Sequence, residues 1–491
     1  MSVQEFLYDR AMLKSKALYW RIEIASKASI IIDADNYFAH AKSAMEQAQQ
    51  RIVLIGWDFD TRIALTDPRN GSDAQTLGDF IYGLVKAKPE LEIYILRWRF
   101  GAFKALFRGT NIFTLLKWMW HKHIHTKLDS VHPPGASHHQ KIAIIDDDFA
   151  FCGGIDMTGD RWDTRDHLDH NGDRTRPNGK EYGPWHDATS ALQGSAASAL
   201  AELARYRWER AGGKAIGPLP DPVAIWPVDL AVQFEDVEVG IARTEPEMDD
   251  REAILEIENL YLDQIANAKK FIYAENQYFA SRRIAKAMSL RLQQPDCPEI
   301  VIICPESAEG WLEPIAMDSA RARLFQALHK VDANDKLRIY HPVTQDEQPI
   351  YVHAKILIVD DTILRIGSAN MNNRSLRLDT ECDISIDAAR AHNSDCSETI
   401  RTIRLDLLAE HLDMGMQEFH DLEQEHSSII AAIEQTISAG RSLKRYVVPD
   451  LSQTEKFVAD NEVLDPEGPG ESFEPFAKRS LFRGILKRSQ G

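Results

Sequence analysis

SHHQKIAIIDDDFAFCGGID (residues 137–156) sets a histidine two positions before a lysine, then an apolar run, three aspartates and a pair of glycines. The run from Lys141 to Ile145 reads as a buried strand, being short, rich in isoleucine and closed by a turn-forming Asp cluster. Side chains alternate along a strand, so His139 and Lys141 share one face and Asp146 is turned to the other. A lone histidine of this kind is more often a structural residue than a chemical one. Recurrence changes that reading. YVHAKILIVDDTILRIGSAN (351–370) repeats the spacing with His353, Lys355 and Asp360, and Gly367 falls where Gly153 fell.

A true repeat carries more than its chemical letters. RIVLIGWDFD (51–60) and LEIYILRWRF (91–100) precede the first copy; KFIYAENQYF (270–279) and PEIVIICPES (298–307) precede the second. The order strand, strand, motif strand is kept. Amphipathic stretches at 37–51 and 246–270 lie between the strands, and strands alternating with helices indicate an α/β fold with helices covering a mixed sheet. The expectation is two similar α/β halves, residues 1–215 and 216–450, packed about a pseudo-two-fold axis, followed by a flexible basic-ended tail at 451–491.

Composition bounds the setting. The net charge is −18 and 44% of residues are hydrophobic, and no apolar run approaches the ~18 residues of a membrane span. The N-terminal segment lacks the apolar core and cleavage site of a signal peptide. Five scattered cysteines without a C-x-x-C pair suggest reduced thiols and a cytoplasmic site of synthesis, with export by a route that needs no signal peptide left open. The acidic balance counts against nucleic acid as a partner, since phosphate contacts need clustered Lys and Arg. Residues 100–127 are the exception, with five Lys/Arg, no acidic residue and many aromatic and aliphatic side chains. Such a stretch suits a membrane surface or a core helix with a basic edge.

Two strands each bearing His and Lys, brought face to face, place two imidazoles and two ammonium groups around one point. That combination suits a phosphodiester. One imidazole attacks phosphorus to give a phosphohistidine, while the other protonates the leaving alcohol and later deprotonates water. The lysines, with backbone at the glycines, neutralise the non-bridging oxygens, so neither metal nor cofactor is required. Each histidine needs a carboxylate to fix its tautomer. Asp146 and Asp360 are on the wrong face for this. Asp187 in PWHDATSALQG and Glu381 in DTECDISID, each opening an apolar strand downstream of a motif, are the candidates.

The chain resembles the phospholipase D superfamily, whose doubled H-x-K-x-x-x-x-D signature is matched by His139, Lys141, Asp146 and by His353, Lys355, Asp360. GGIDMTGDRWD (153–163), PWHD (184–187), YAENQYF (273–279) and IGSANMNNRS (366–375) extend the likeness to the eukaryote-like, phosphatidylcholine-hydrolysing branch. The resemblance spans roughly residues 45–415 and implies hydrolysis of a phospholipid to phosphatidic acid and free head group, with transphosphatidylation to alcohols. It implies His139 as nucleophile and His353 as general acid, then base. Ser368 and Asn370 would hold phosphate, where the first half has Gly154 and Asp156; Gly153, Gln277 and Trp57 complete the candidate substrate contacts. Two features depart from the family pattern: a longer lead into Arg161-Trp162-Asp163, and the polar loop 166–183.

Weaker candidates are the histidines of HKHIH (121–125), which lack a convincing further metal ligand, and Trp57 with Asp58 near a head group. A phospholipid at a membrane surface is therefore the expected partner, and a monomer is compatible with the sequence, which leaves the oligomeric state open. A cardiolipin-synthase-like phosphatidyltransferase and a nucleic-acid phosphodiesterase are the alternatives on the same fold.

Overall fold

The computed structural model describes residues 17–65, 75–98, 114, 116–118, 120–309, 314–437 and 440–449. The tail at 451–491 and residues 100–113 of the basic stretch lie outside them.

The first half contributes β1 (Arg21–Ile32), β2 (Arg51–Gly56), β3 (Glu92–Trp98), β4 (Ile124–Asp129), β5 (Ile142–Ile145), β6 (Phe149–Gly153), β7 (Trp185–His186) and β8 (Ala188–Gln193). The second contributes β9 (Phe234–Glu245), β10 (Ile254–Leu255), β11 (Phe271–Asn276), β12 (Glu299–Ile303), β13 (Leu337–Val343), β14 (Tyr351–Val352), β15 (Lys355–Val359), β16 (Ile363–Gly367), β17 (Glu381–Asp387) and β18 (Ser442–Arg445). One mixed sheet runs β4-β3-β2-β5-β6-β8-β1-β9-β17-β16-β15-β11-β12-β13-β18. Read inward from β4 or from β13, the order is the same, and the two series meet where β1 pairs antiparallel with β9, Ala28 opposite Phe234. The pairs β2·β3, β3·β4, β11·β12 and β12·β13 are parallel; their neighbours are antiparallel.

The motif strands are continuous aliphatic runs because both faces of the sheet are covered. Ile142 to Ile145 and Ile356 to Val359 are buried throughout. On one face a single core takes in the alanine-rich helix Ser195–Arg210 and Leu407 and Leu408 of the helix Ser397–Leu412, so the halves share it. On the other face each half keeps its own core.

Neither helix keeps the bounds its periodicity predicts. The first is displaced to Ala34–Gln47: it begins three residues early and ends four early, because Asp146 captures the amides of residues 49–51 and starts β2 at Arg51. The second begins at Glu256, since residues 246–255 are spent on a Met248–Arg251 bridge and on β10.

Candidate active site

Each motif hairpin turns through two aspartates in the left-handed region, Asp146 and Asp147 (φ 50° and 57°), and Asp360 and Asp361 (φ 56° and 55°), a conformation Asp tolerates in tight hairpin turns. Asp146 accepts hydrogen bonds from the backbone N–H of Gln49, Gln50 and Arg51 at 2.7, 2.8 and 2.7 Å. Asp360 does the same for Lys269, Lys270 and Phe271 at 2.8, 2.7 and 2.9 Å. Although the family signature groups these two aspartates with the histidines and lysines as catalytic letters, each clamps the start of its neighbouring strand, on the side away from the imidazoles, as strand alternation requires. Asp146→Ala, which strips three amides of a charged acceptor, is expected to cost roughly 2–4 kcal/mol. Urea unfolding reads that loss, while turnover per folded molecule stays within a few-fold.

At the other end of the hairpins the two halves cross. The segment ahead of β5 lies beside the entry to β17, where His139 N–H donates to Thr380 O at 3.0 Å and Thr380 N–H to Ser137 O at 3.0 Å. The segment ahead of β15 pairs with the entry to β8: β14 lies parallel to β7, and His353 N–H donates to His186 O at 2.7 Å. Each histidine therefore meets the carboxylate of the opposite half. His139 Nδ1 stands 2.9 Å from both oxygens of Glu381, and His353 Nδ1 stands 2.7 Å from Asp187 Oδ2. Glu381 also accepts from Ser368 Oγ at 2.5 Å, and Asp187 Oδ1 from Ala188 N–H at 2.8 Å. In each pair Nδ1 is engaged, which leaves Nε2 for chemistry.

The lysines lie on the same strand face as the histidines. Lys141 Nζ donates to His139 O at 2.9 Å and is 3.2 Å from Asp156 Oδ2. Lys355 Nζ donates to His353 O and is 3.4 Å from Gln277 Oε1, which also accepts from Asn370 Nδ2 at 3.3 Å. The site is thus asymmetric: a carboxylate faces one ammonium and an amide oxygen the other. Burial, opposed by Asp187, brings Lys355 down to about 7. Burial holds both imidazoles well below their ordinary value, His139 with help from Lys141 and Lys355, and His353 with help from Lys355, Arg161, Lys141 and His139. Each histidine thus feels the lysine of the opposite half as well as its own. Burial pushes Glu381 up to about 8, against the pull of Lys141 and the Ser368 hydroxyl.

Other expected contacts are placed differently. Gly153 and Gly154 open no space for phosphate. A Cβ at Gly153 would lie 2.4 Å from Thr189 Cα and one at Gly154 2.3 Å from Asp187 Oδ1, so these glycines let the carboxylate strand close in. Ser368 positions Glu381. Trp57 donates its backbone N–H to Asp156 Oδ1 at 2.9 Å, and its ring stacks on Trp98 at 5.5 Å. Asp58 is buried against the Thr158 hydroxyl at 2.9 Å, inside the fold. His123 and His125 both bond Glu92, at 2.6 and 2.7 Å.

Arg161 escaped the residue-by-residue reading although it belongs to the quoted GDRWD run. Its guanidinium lies 4.3 Å over the Trp185 ring, which stacks on Tyr351 at 4.5 Å and stands 5.3 Å from His353. It adds a guanidinium beside the two lysines, and its charge helps keep the His353 imidazole neutral.

Residues 44–253 match the family model described as phospholipase D, and residues 261–401 the one described as "Cardiolipin synthase, PLD-like domain". Phospholipase D alpha 1 of Carica papaya is 25% identical, the alignment covering 76% of this chain and 63% of that protein. Phospholipase D A of Dictyostelium discoideum is 24% identical over 71% of this chain and 32% of its own length. The chain spans less than two thirds of these relatives. Phosphatidylserine synthase of Haemophilus influenzae Rd KW20 shares the fold, with a TM-score of 0.53 at 12% identity over 80% of this chain and 90% of that one. With one such match in each half and a crossed pair of histidines where the halves meet, the chain belongs to the phospholipase D superfamily.

Proposed function

We propose that this protein is a phospholipase D that hydrolyses glycerophospholipids, phosphatidylcholine or phosphatidylethanolamine first, to phosphatidic acid and free head group. Small alcohols compete with water and give transphosphatidylation. The observation that carries this reading is the pair of Nδ1-anchored imidazoles, one from each half, with a lysine beside each. His139 Nε2 attacks phosphorus, the P–N bond forming as the bond to the head-group oxygen breaks. His353 Nε2 gives that oxygen its proton. Water then attacks phosphorus, loses a proton to His353, and the P–N bond breaks. Lys141, Lys355 and the Asn370 amide take the non-bridging oxygens. Burial leaves His139 neutral and nucleophilic; the negative diester, arriving beside the lysines, offsets their repulsion and lets His353 hold its proton.

The test is mass spectrometry of lipid vesicles incubated with the pure protein, with and without ethanol. Phosphatidic acid, replaced in part by phosphatidylethanol when ethanol is present, is the expected result. Absence of both from phosphatidylcholine and phosphatidylethanolamine, with cleavage of a nucleic-acid diester instead, would overturn the reading. The second-half match favours one further possibility, capture of the phosphoenzyme by a lipid hydroxyl. Cardiolipin formed from phosphatidylglycerol vesicles would reveal it.

The pH dependence follows from two groups of opposite sign. Glu381, raised to about 8, loses its orienting charge as pH falls through that value, and Lys355, lowered to about 7, loses its ammonium as pH rises through that one. The profile of kcat/KM is then a narrow bell with its maximum between about 7 and about 8, its limbs belonging to the coupled cluster. A flat profile across that range and two units on either side would contradict it.

We place the enzyme in the cytoplasm, visiting the membrane surface. The five free thiols support that placement, and no helix among the described residues is long and apolar enough to cross a membrane. The division at 215/216 into two cooperating halves is part of the same reading, supported by the mirrored strand order.

A further inference from the structure

Behind the Asp187 strand, Asp33, His167, His186 and Glu410 converge with their side chains 0–2% exposed. His186 Nδ1 is 3.2 Å from Asp33 Oδ1 and 3.0 Å from Glu410 Oε1; His167 Nε2 is 3.4 Å from Asp33 Oδ2 and 3.1 Å from Glu410 Oε1. From these four side chains we infer a buried site for a divalent transition metal, zinc foremost, that anchors the strand carrying Asp187 to both halves of the molecule.

Metal–ligand bonds of about 2.0–2.1 Å arranged tetrahedrally set neighbouring donor atoms about 3.3 Å apart, the spacing found between these nitrogens and oxygens. Both imidazoles have their far nitrogen already engaged. His167 Nδ1 bonds Asp163 Oδ2 at 3.0 Å, and His186 Nε2 bonds Glu275 Oε2 at 2.8 Å. That carboxylate–histidine arrangement fixes the tautomer whose other lone pair faces the centre. The outer carboxylates are held in turn, Asp163 by Arg174 Nη1 at 3.0 Å and Glu275 by His411 Nε2 at 3.1 Å and the Tyr273 hydroxyl. Meanwhile His186 Nδ1 and Asp33 Oδ2, fully buried, have no hydrogen-bond partner of good geometry. Two imidazoles with two carboxylates suit zinc or a neighbouring d-block ion better than calcium or magnesium, which take oxygen.

The ligands tie distant segments together. Asp33 follows β1, His167 sits in the polar loop 166–183, His186 adjoins Asp187, and Glu410 comes from the helix of the second half. Asp33 Oδ1 also accepts from Asp187 N–H at 3.1 Å. The loop thereby acquires a purpose, delivering one ligand. The metal touches none of the four motif side chains and acts by holding the Asp187 strand in place.

The test is metal analysis of the untagged full chain by inductively coupled plasma mass spectrometry, with X-ray absorption at the metal edge. Close to one zinc or other d-block ion per chain is expected, four-coordinate with nitrogen and oxygen ligands at about 2.0 Å. It should persist in the double variant His123→Ala/His125→Ala, which removes the two histidines bonded to Glu92, and be lost in Glu410→Gln and His167→Gln. Should those two variants fail to fold, wild-type protein refolded with and without zinc decides: a higher Tm and one bound equivalent with zinc support the site. Less than a tenth of an equivalent in wild type after zinc refolding, or metal that leaves with His123 and His125, would overturn it.

Discussion

His353→Ala retains measurable cleavage of a p-nitrophenyl phosphodiester, whereas His139→Ala retains none. The expectation rests on which atoms need a proton. p-Nitrophenolate leaves as a stable anion, so removing the acid costs this substrate little in the first step; a choline or ethanolamine oxygen cannot leave that way. On the natural lipid His353→Ala is therefore expected to lose about 10²–10⁴-fold in turnover, and on the activated ester roughly tenfold or less for the first release of p-nitrophenolate. His139 supplies the electron pair itself, and no leaving group compensates for its loss. Initial rates of both variants on both substrates make the measurement. Equal loss on the two esters for His353→Ala would remove the acid role, and activity of His139→Ala on the activated ester would exchange the two histidines.

The crossed pairing makes the carboxylate variants follow the opposite half's histidine. Glu381→Gln is expected to resemble His139→Ala, severe on both substrates, because the 2.9 Å contact at Nδ1 sets the tautomer that frees the nucleophilic Nε2. Asp187→Asn is expected to resemble His353→Ala, severe on lipid and mild on the activated ester, through its 2.7 Å contact. Losses of about 10³–10⁴-fold on lipid are the scale set by removing such an orienting carboxylate. Neither change should unfold the protein, since burial already opposes ionisation of both acids and the amides keep the shape. Circular dichroism and the Tm check that both variants stay folded. A Glu381→Gln enzyme spared on the activated ester would break the link between Glu381 and the nucleophile.

Local periodicity makes most of this fold legible in the sequence. The aliphatic runs around Ile142–Ile145 and Ile356–Val359 announce strands because burial on both faces leaves no room for polar residues, and alternation alone turns Asp146 and Asp360 away from the histidines. Asp187 and Glu381 were legible as acids opening apolar strands. Which imidazole each one serves was not, because that depends on how the segments before β5 and β15 cross to the other half. Gly153 and Gly154 invite a phosphate reading, yet their missing side chains accommodate Thr189 and Asp187. Arg161 is hidden in a recognised run, since its position over Trp185 follows from tertiary packing. The cluster of Asp33, His167, His186 and Glu410 was invisible for a simpler reason: its ligands lie in four segments with no shared spacing, two of them in a loop and at a strand end where periodicity says nothing.

The central claim, one site in which His139 takes the phosphatidyl group, is tested most directly by trapping it. Enzyme mixed with phospholipid labelled in the phosphate is quenched in alkali within milliseconds, conditions that spare phosphohistidine, and the labelled peptide is identified by mass spectrometry. Label on the peptide that contains His139, enriched when His353→Ala is loaded with the p-nitrophenyl ester, is the predicted result. Label on the peptide that contains His353, or full turnover with no covalent species at any quench time, would contradict it.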